Sequence, residues 1–145
     1  MKLNMRSALW IAQGLLALTF LFAGGSKLVM SIAAMNQGST IQLPGLFLRF
    51  IGTCEVLGGL AMVLPGLLKI RTVLTPLAAA GLVIIMIGAT WITIAEGMSL
   101  VALIPFTAGV LAGFVAYGRW RVLPLQSTSA KQRWRFLHRP RRLNP

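Results

Sequence analysis

Uncharged apolar runs alternate with short polar or basic breaks along the chain, and the run lengths decide what each can form. Residues 7–26 carry no charge and, at ~1.5 Å rise per helical residue, reach across a hydrocarbon core of ~30 Å. A polar break over 31–44 holds Asn36, Gln37, Gly38, Ser39, Thr40 and Gln42 and closes on Pro44, the composition of a loop. The second run starts near Gly45 and stops near Pro65 and Gly66, before Lys69 and Arg71. The third, 72–95, carries Pro76 in its first turn, where a missing backbone N–H does little harm. Glu96 and Gly97 make the next turn, and a fourth run ends at Arg119, Trp120 and Arg121. The pattern predicts an all-α membrane protein: a four-transmembrane-helix bundle within residues 1–121, with helices at about 7–30, 45–67, 72–95 and 98–118, and a tail over 122–145. There is no internal repeat and no separate soluble domain.

Composition supports the bilayer over a soluble core. The chain of 145 residues is 57% hydrophobic and 11% charged, too few charges to coat a soluble domain of that size. A basic start before an apolar run also fits a cleaved signal peptide, with a cut after Ala23. Leu21 stands where a small residue is wanted, so an uncleaved span is the expectation. The formal charge of +12 would point to nucleic acid in a soluble protein. Here eight of the fourteen basic residues lie in the last 27 positions and most others at span ends, where anionic headgroups and the positive-inside rule want them, so no nucleic-acid partner is expected.

Counting charges by side sets the topology. Lys2, Arg6, Lys69, Arg71 and the eight C-terminal cations fall on one side, Lys27 and Arg49 on the other, which predicts both termini in the cytoplasm and Glu96 outside. Trp10 and Trp120 then sit at the inner interface and Trp91 near the outer one. In the tail, Trp134, Phe136 and Leu137 among the arginines fit a segment lying on anionic lipid, or simply a solvated, topology-fixing extension.

Two residue types limit the chemistry. Cys54 is the only cysteine and His138 the only histidine, so one chain builds neither a disulfide nor a CxxC centre, a bis-histidine haem or a His/Cys metal site. No metal site and no catalytic residue is assigned. What remains is Glu55, a carboxylate sunk in the second span, costly in lipid unless paired, protonated or facing protein. Gly45, Gly52, Gly59 and Gly66 recur every seven residues, and Glu55 lies on or beside that small-residue seam, so it faces another helix closely. On the first span, Gln13, Phe20, Ala23 and Gly24 share a face with Lys27. Side chains lean toward the N-terminus of their own helix, so Lys27 leans inward and Glu55 outward, toward one another. Arg49 is the second-choice partner, or a headgroup contact.

A buried Lys27–Glu55 pair could simply hold helix register. It could also close a polar pocket for a headgroup, a small polar substrate or a proton, with Thr53, Cys54, Thr90, Thr93 and Glu96 adding polar groups. Threonines in membrane helices usually bond their own backbone, and a carboxylate beside Cys54 works against a reactive thiolate. Gly109 and Gly113, with the run Ala78-Ala79-Ala80-Gly81 and the pair Gly88-Ala89, predict close packing of the last two spans and a closed left-handed bundle, with Met62, Met86 and Met98 as core filling.

Three segments carry a resemblance: Phe22-Ala23-Gly24-Gly25-Ser26-Lys27-Leu28, Gly52-Thr53-Cys54-Glu55-Val56-Leu57-Gly58-Gly59 and Leu74-Thr75-Pro76-Leu77-Ala78-Ala79-Ala80-Gly81. In this order the chain resembles the DoxX-like family of small four-helix integral membrane proteins over roughly residues 8–120. The resemblance implies Lys27 and Glu55 as the characteristic polar positions. It also implies a link to membrane oxidoreductase assemblies, including thiosulfate–quinone chemistry and complexes that handle oxidative stress. With no intrinsic redox cofactor, the chain is then expected to be an accessory subunit, not catalytic alone, that holds a quinone or lipid or docks a membrane or peripheral oxidoreductase partner. The expected location is the bacterial inner (plasma) membrane. Two other classes stay open: a small transporter or channel using Glu55, which with four short spans calls for a homo-oligomer, and a structural, lipid-interacting protein whose basic tail carries the function.

Overall fold

Helix stripes with a spacing of three and four residues organise the molecule. The computed structural model describes residues 4–71 and 73–122, so the expectations for the tail from 123 onward lie outside the described residues. Helix α1 is Met5–Val29, α2 Ile32–Asn36, α3 Gly45–Leu68, α4 Leu74–Ala95 and α5 Leu103–Tyr117, and a π-helical turn, Gly118–Val122, continues α5. No strand occurs among the described residues. On α3 the buried positions are Leu48, Gly52, Glu55, Gly59, Met62 and Pro65, a seam close to a seven-residue repeat, and Leu9, Ala12, Gln13, Leu16, Ala17, Phe20 and Gly24 form the matching stripe on α1.

The two stripes meet antiparallel, α4 packs on α3, α5 on α4, and α5 returns to α1. Phe20, Leu16, Met62, Leu82, Met86, Ala112 and Val115 fill the centre, drawn from all four longer helices. Outside that core the surface is apolar rather than charged: Leu18, Phe22, Ile84 and Trp91 are all more than two-thirds exposed. Water would leave such a belt unsatisfied, whereas lipid covers it at no cost. Three helices, α1, α3 and α4, are long and apolar enough to cross a bilayer.

The fourth predicted span is shorter than the sequence pattern implied. The stretch from Met98 to Ala102 forms turns, and α5 has 15 residues instead of the expected 98–118, a rise of ~22 Å. Pro105 explains the start: its missing N–H is harmless only in a first turn, so the helix begins just before it. At the other end the last backbone bonds of α5 give way to the wider π turn. The polar break is also more ordered than a plain loop. Ser31 caps α2 by accepting a hydrogen bond from the Ala34 N–H at 3.2 Å, and Gly38 ends that segment with φ of 79°.

Candidate functional site

Two glycines create the approach that brings a cation and a carboxylate together. A Cβ on Gly24 would stand 2.6 Å from the Gly52 carbonyl oxygen and 2.9 Å from Glu55 Cβ, and a Cβ on Gly52 would stand 2.9 Å from Lys27 Cβ. Only bare backbone lets α1 and α3 cross this closely. Immediately beside the crossing, Lys27 Nζ lies 2.8 Å from Glu55 Oε2. The Glu55 residue is 2% exposed while the Lys27 side chain keeps 29% of its surface open, so the pair has one sealed and one accessible member. The ammonium also reaches the Ala23 carbonyl at 3.5 Å. Among the described residues, Glu55 Oε1 accepts no hydrogen bond.

Arg49 does not turn to Glu55, nor out to a headgroup as its spacing allowed. Its Nη1 donates to the Lys27 carbonyl at 2.7 Å and to the Leu28 carbonyl, and its Nη2 donates to the Met30 carbonyl at 2.9 Å. The last carbonyls of a helix lack intrahelical partners and carry partial negative charge, so a guanidinium on the neighbouring helix is a strong cap for α1. The cap holds the very backbone from which Lys27 projects.

The secondary candidates are not gathered around this pair. Thr53 is exposed and bonds the Arg49 carbonyl at 2.9 Å, Thr90 bonds Met86 at 2.7 Å and Thr93 bonds Ala89 at 2.8 Å, each on its own helix. Cys54 is a half-buried free thiol. Glu96 accepts from the Ser39 hydroxyl and so ties the polar loop to the α4–α5 turn. Thr90 instead borders an apolar groove of about 440 Å³ between α4 and α5, lined also by Met86, Trp91, Phe106 and Gly109. Among the described residues no group of three His, Cys, Asp or Glu side chains converges as a metal site would require.

Sequence reasoning missed a second buried polar cluster at the opposite end of α1. Gln13 is fully buried; its Nε2 donates to the Met62 carbonyl at 2.6 Å and its Oε1 accepts from Arg119 Nε at 2.8 Å. Arg119, read as a surface stop, turns inward, is 4% exposed, and lies 5.1 Å from the centroid of the Trp10 ring. Trp10 accordingly serves as a platform for a cation as well as an interface aromatic. Gln13 on the helix face of Lys27 was the one available signal, since an amide that deep must find partners.

A belt of lipid-facing apolar side chains around a helical interior that holds two buried polar clusters defines a helical integral membrane protein. The chain belongs to the DoxX-like family, whose model matches residues 11–117, a segment that includes all three motif segments and both Lys27 and Glu55. No curated protein and no solved structure matches the chain.

Proposed function

We propose that this DoxX-like protein is a four-helix transmembrane bundle of the bacterial inner membrane, with both termini cytoplasmic, that acts as an accessory, quinone-proximal subunit of a membrane redox assembly. The fourth span is α5, whose ~22 Å the π turn lengthens toward the thickness of the core. The observation that carries the functional reading is the asymmetry of the Lys27–Glu55 pair. Lys27 keeps exposed surface and an ammonium has three donors, while Glu55 Oε1 has no partner among the described residues. A quinone oxygen can accept from Lys27, and the hydroxyl of the reduced form can donate to Glu55. Quinone binding then needs no redox centre in this chain, and electron transfer falls to the partner.

The transport reading is less well supported by the same geometry. Along α1, Phe20 and Leu16 are buried between the pair and the Gln13 cluster, which makes the pair one end of a packed seam instead of the middle of a polar passage. The test is gentle purification from native membranes, with mass spectrometry of retained small molecules and co-isolated proteins, for wild type and Glu55→Gln. A quinone or oxidoreductase held by wild type and lost from a folded Glu55→Gln supports the proposal. Bulk lipid alone from both proteins sinks it.

A further inference from the structure

Among the described residues, Arg119 is a buried cation without an anion. Its guanidinium is held by the Gln13 amide oxygen and the Trp10 face, both neutral, and Nη2 is buried with no hydrogen-bond partner among the described residues. Neutral dipoles offset only part of the cost of burying a charge. The chain has two acidic residues, Glu55 and Glu96. Both are committed elsewhere, to Lys27 and Ser39. Lys27 lies 14 residues beyond Gln13 on α1, so the Glu55 carboxylate is ~20 Å away from Arg119. No acidic side chain of this chain is left to compensate the guanidinium.

The surroundings add positive charge. Arg6 is exposed one turn before Trp10 on the same face of α1, and its charge repels that of Arg119. Lys69 and Arg71, at the end of α3, are exposed at this same end of the molecule. The local fold is also built for the inward turn of Arg119. A Cβ on Gly118 would stand 2.6 Å from Leu9 Cδ2, so glycine lets the π turn close on α1, and such turns recur at functional sites.

We propose that Arg119 and Arg6 form an anion site at the N-terminal end of α1, which takes a phosphate-class oxyanion. Arg119 supplies the enclosed donor, Trp10 and Gln13 orient its plane, and Arg6 supplies the exposed charge that meets the ligand. At a membrane surface the ready source of such an oxyanion is a phospholipid headgroup; a free phosphate offers the same chemistry. A guanidinium fork suits a phosphate better than an ammonium does.

The test is native mass spectrometry of the full chain in detergent, titrated with phosphatidylglycerol or with inorganic phosphate, for wild type, R119Q, R6Q and K69Q. The expected result is phosphatidylglycerol binding that weakens about tenfold or more in R119Q, the loss of one charge-assisted contact. Saturation should raise the wild-type midpoint of thermal unfolding by about 5 °C and leave that of R119Q unmoved. A wild-type response to inorganic phosphate that R119Q lacks supports the same site with a soluble ligand. R6Q and K69Q each remove one exposed charge from the same end, so they separate a site from a diffuse field, even if R119Q does not fold. A site requires that R6Q weaken binding and K69Q not. Equal weakening by these two, equal binding by wild type and folded R119Q, or no binding by wild type overturns the proposal.

Discussion

Glu55 and Arg119 are buried charges at opposite ends of one helix pair, and removing a neighbour exposes each to a different penalty. Lys27→Met leaves a carboxylate sealed without its cation and should cost ~3–5 kcal/mol. Glu55→Gln strands Lys27 instead, but a lysine with 29% of its side chain open can lift its head to water, so the loss should be smaller. The double variant should fall below the sum of the two. Thermal unfolding in detergent measures all three, and a double variant whose loss equals the sum of the two single losses would show that the pair is uncoupled. Gln13→Leu removes the donor to the Met62 carbonyl and the acceptor for Arg119 together, with an expected loss of ~1–3 kcal/mol. A stability unchanged from wild type would mean that water replaces both bonds.

At the level of helices, the close crossing of α1 and α3 depends on particular glycines, not on small residues in general. A Cβ on Gly24 meets backbone at 2.6 Å, whereas the space around its neighbour Gly25 is open. Gly24→Ala should therefore cost ~1–3 kcal/mol and part Lys27 from Glu55, while Gly25→Ala should be neutral or gain up to ~1 kcal/mol from helix propensity. The α4–α5 seam divides in the same way. Gly109 faces Met86 Cβ at 3.1 Å and Gly113 meets Val83 only at an ordinary 3.9 Å, so Gly109→Ala should destabilise and Gly113→Ala should not. Unfolding midpoints that move together within either pair would contradict these contacts.

For the molecule as a whole, the exposed apolar belt and the distribution of charge make a joint prediction. With Arg6, Lys69 and Arg71 at one end and the Lys27–Glu55 pair at the other, the positive-inside rule predicts that the Arg6 end faces the cytoplasm. Reporter fusions at either terminus should both give cytoplasmic signals. A cytoplasmic signal at one end and an external one at the other would mean that α5 does not complete a fourth crossing.

Local chemistry determined much of this without a structure. Run length, the scarcity of charge and the position of the breaks were enough to predict the membrane-spanning helices α1, α3 and α4, because in lipid a span must be long, apolar and internally hydrogen-bonded. The direction in which Lys27 and Glu55 lean was legible too, since side-chain tilt follows from the helix itself. Three things were not. The length of α5 depends on how Gly97 through Ala102 turn before Pro105, which hydropathy does not encode. Arg49 had equally good local reasons to face a headgroup, and only the position of the α1 C-terminus made its carbonyls the better acceptor. Arg119 sits 106 residues from Gln13, and no local spacing relates the two; the π turn and the return of α5 to α1 do. The chain's own pattern decided which segments enter the membrane, while the partners of its buried charges were decided by packing between distant segments, because a hydrogen bond is made with whatever donor or acceptor the fold brings within ~3 Å.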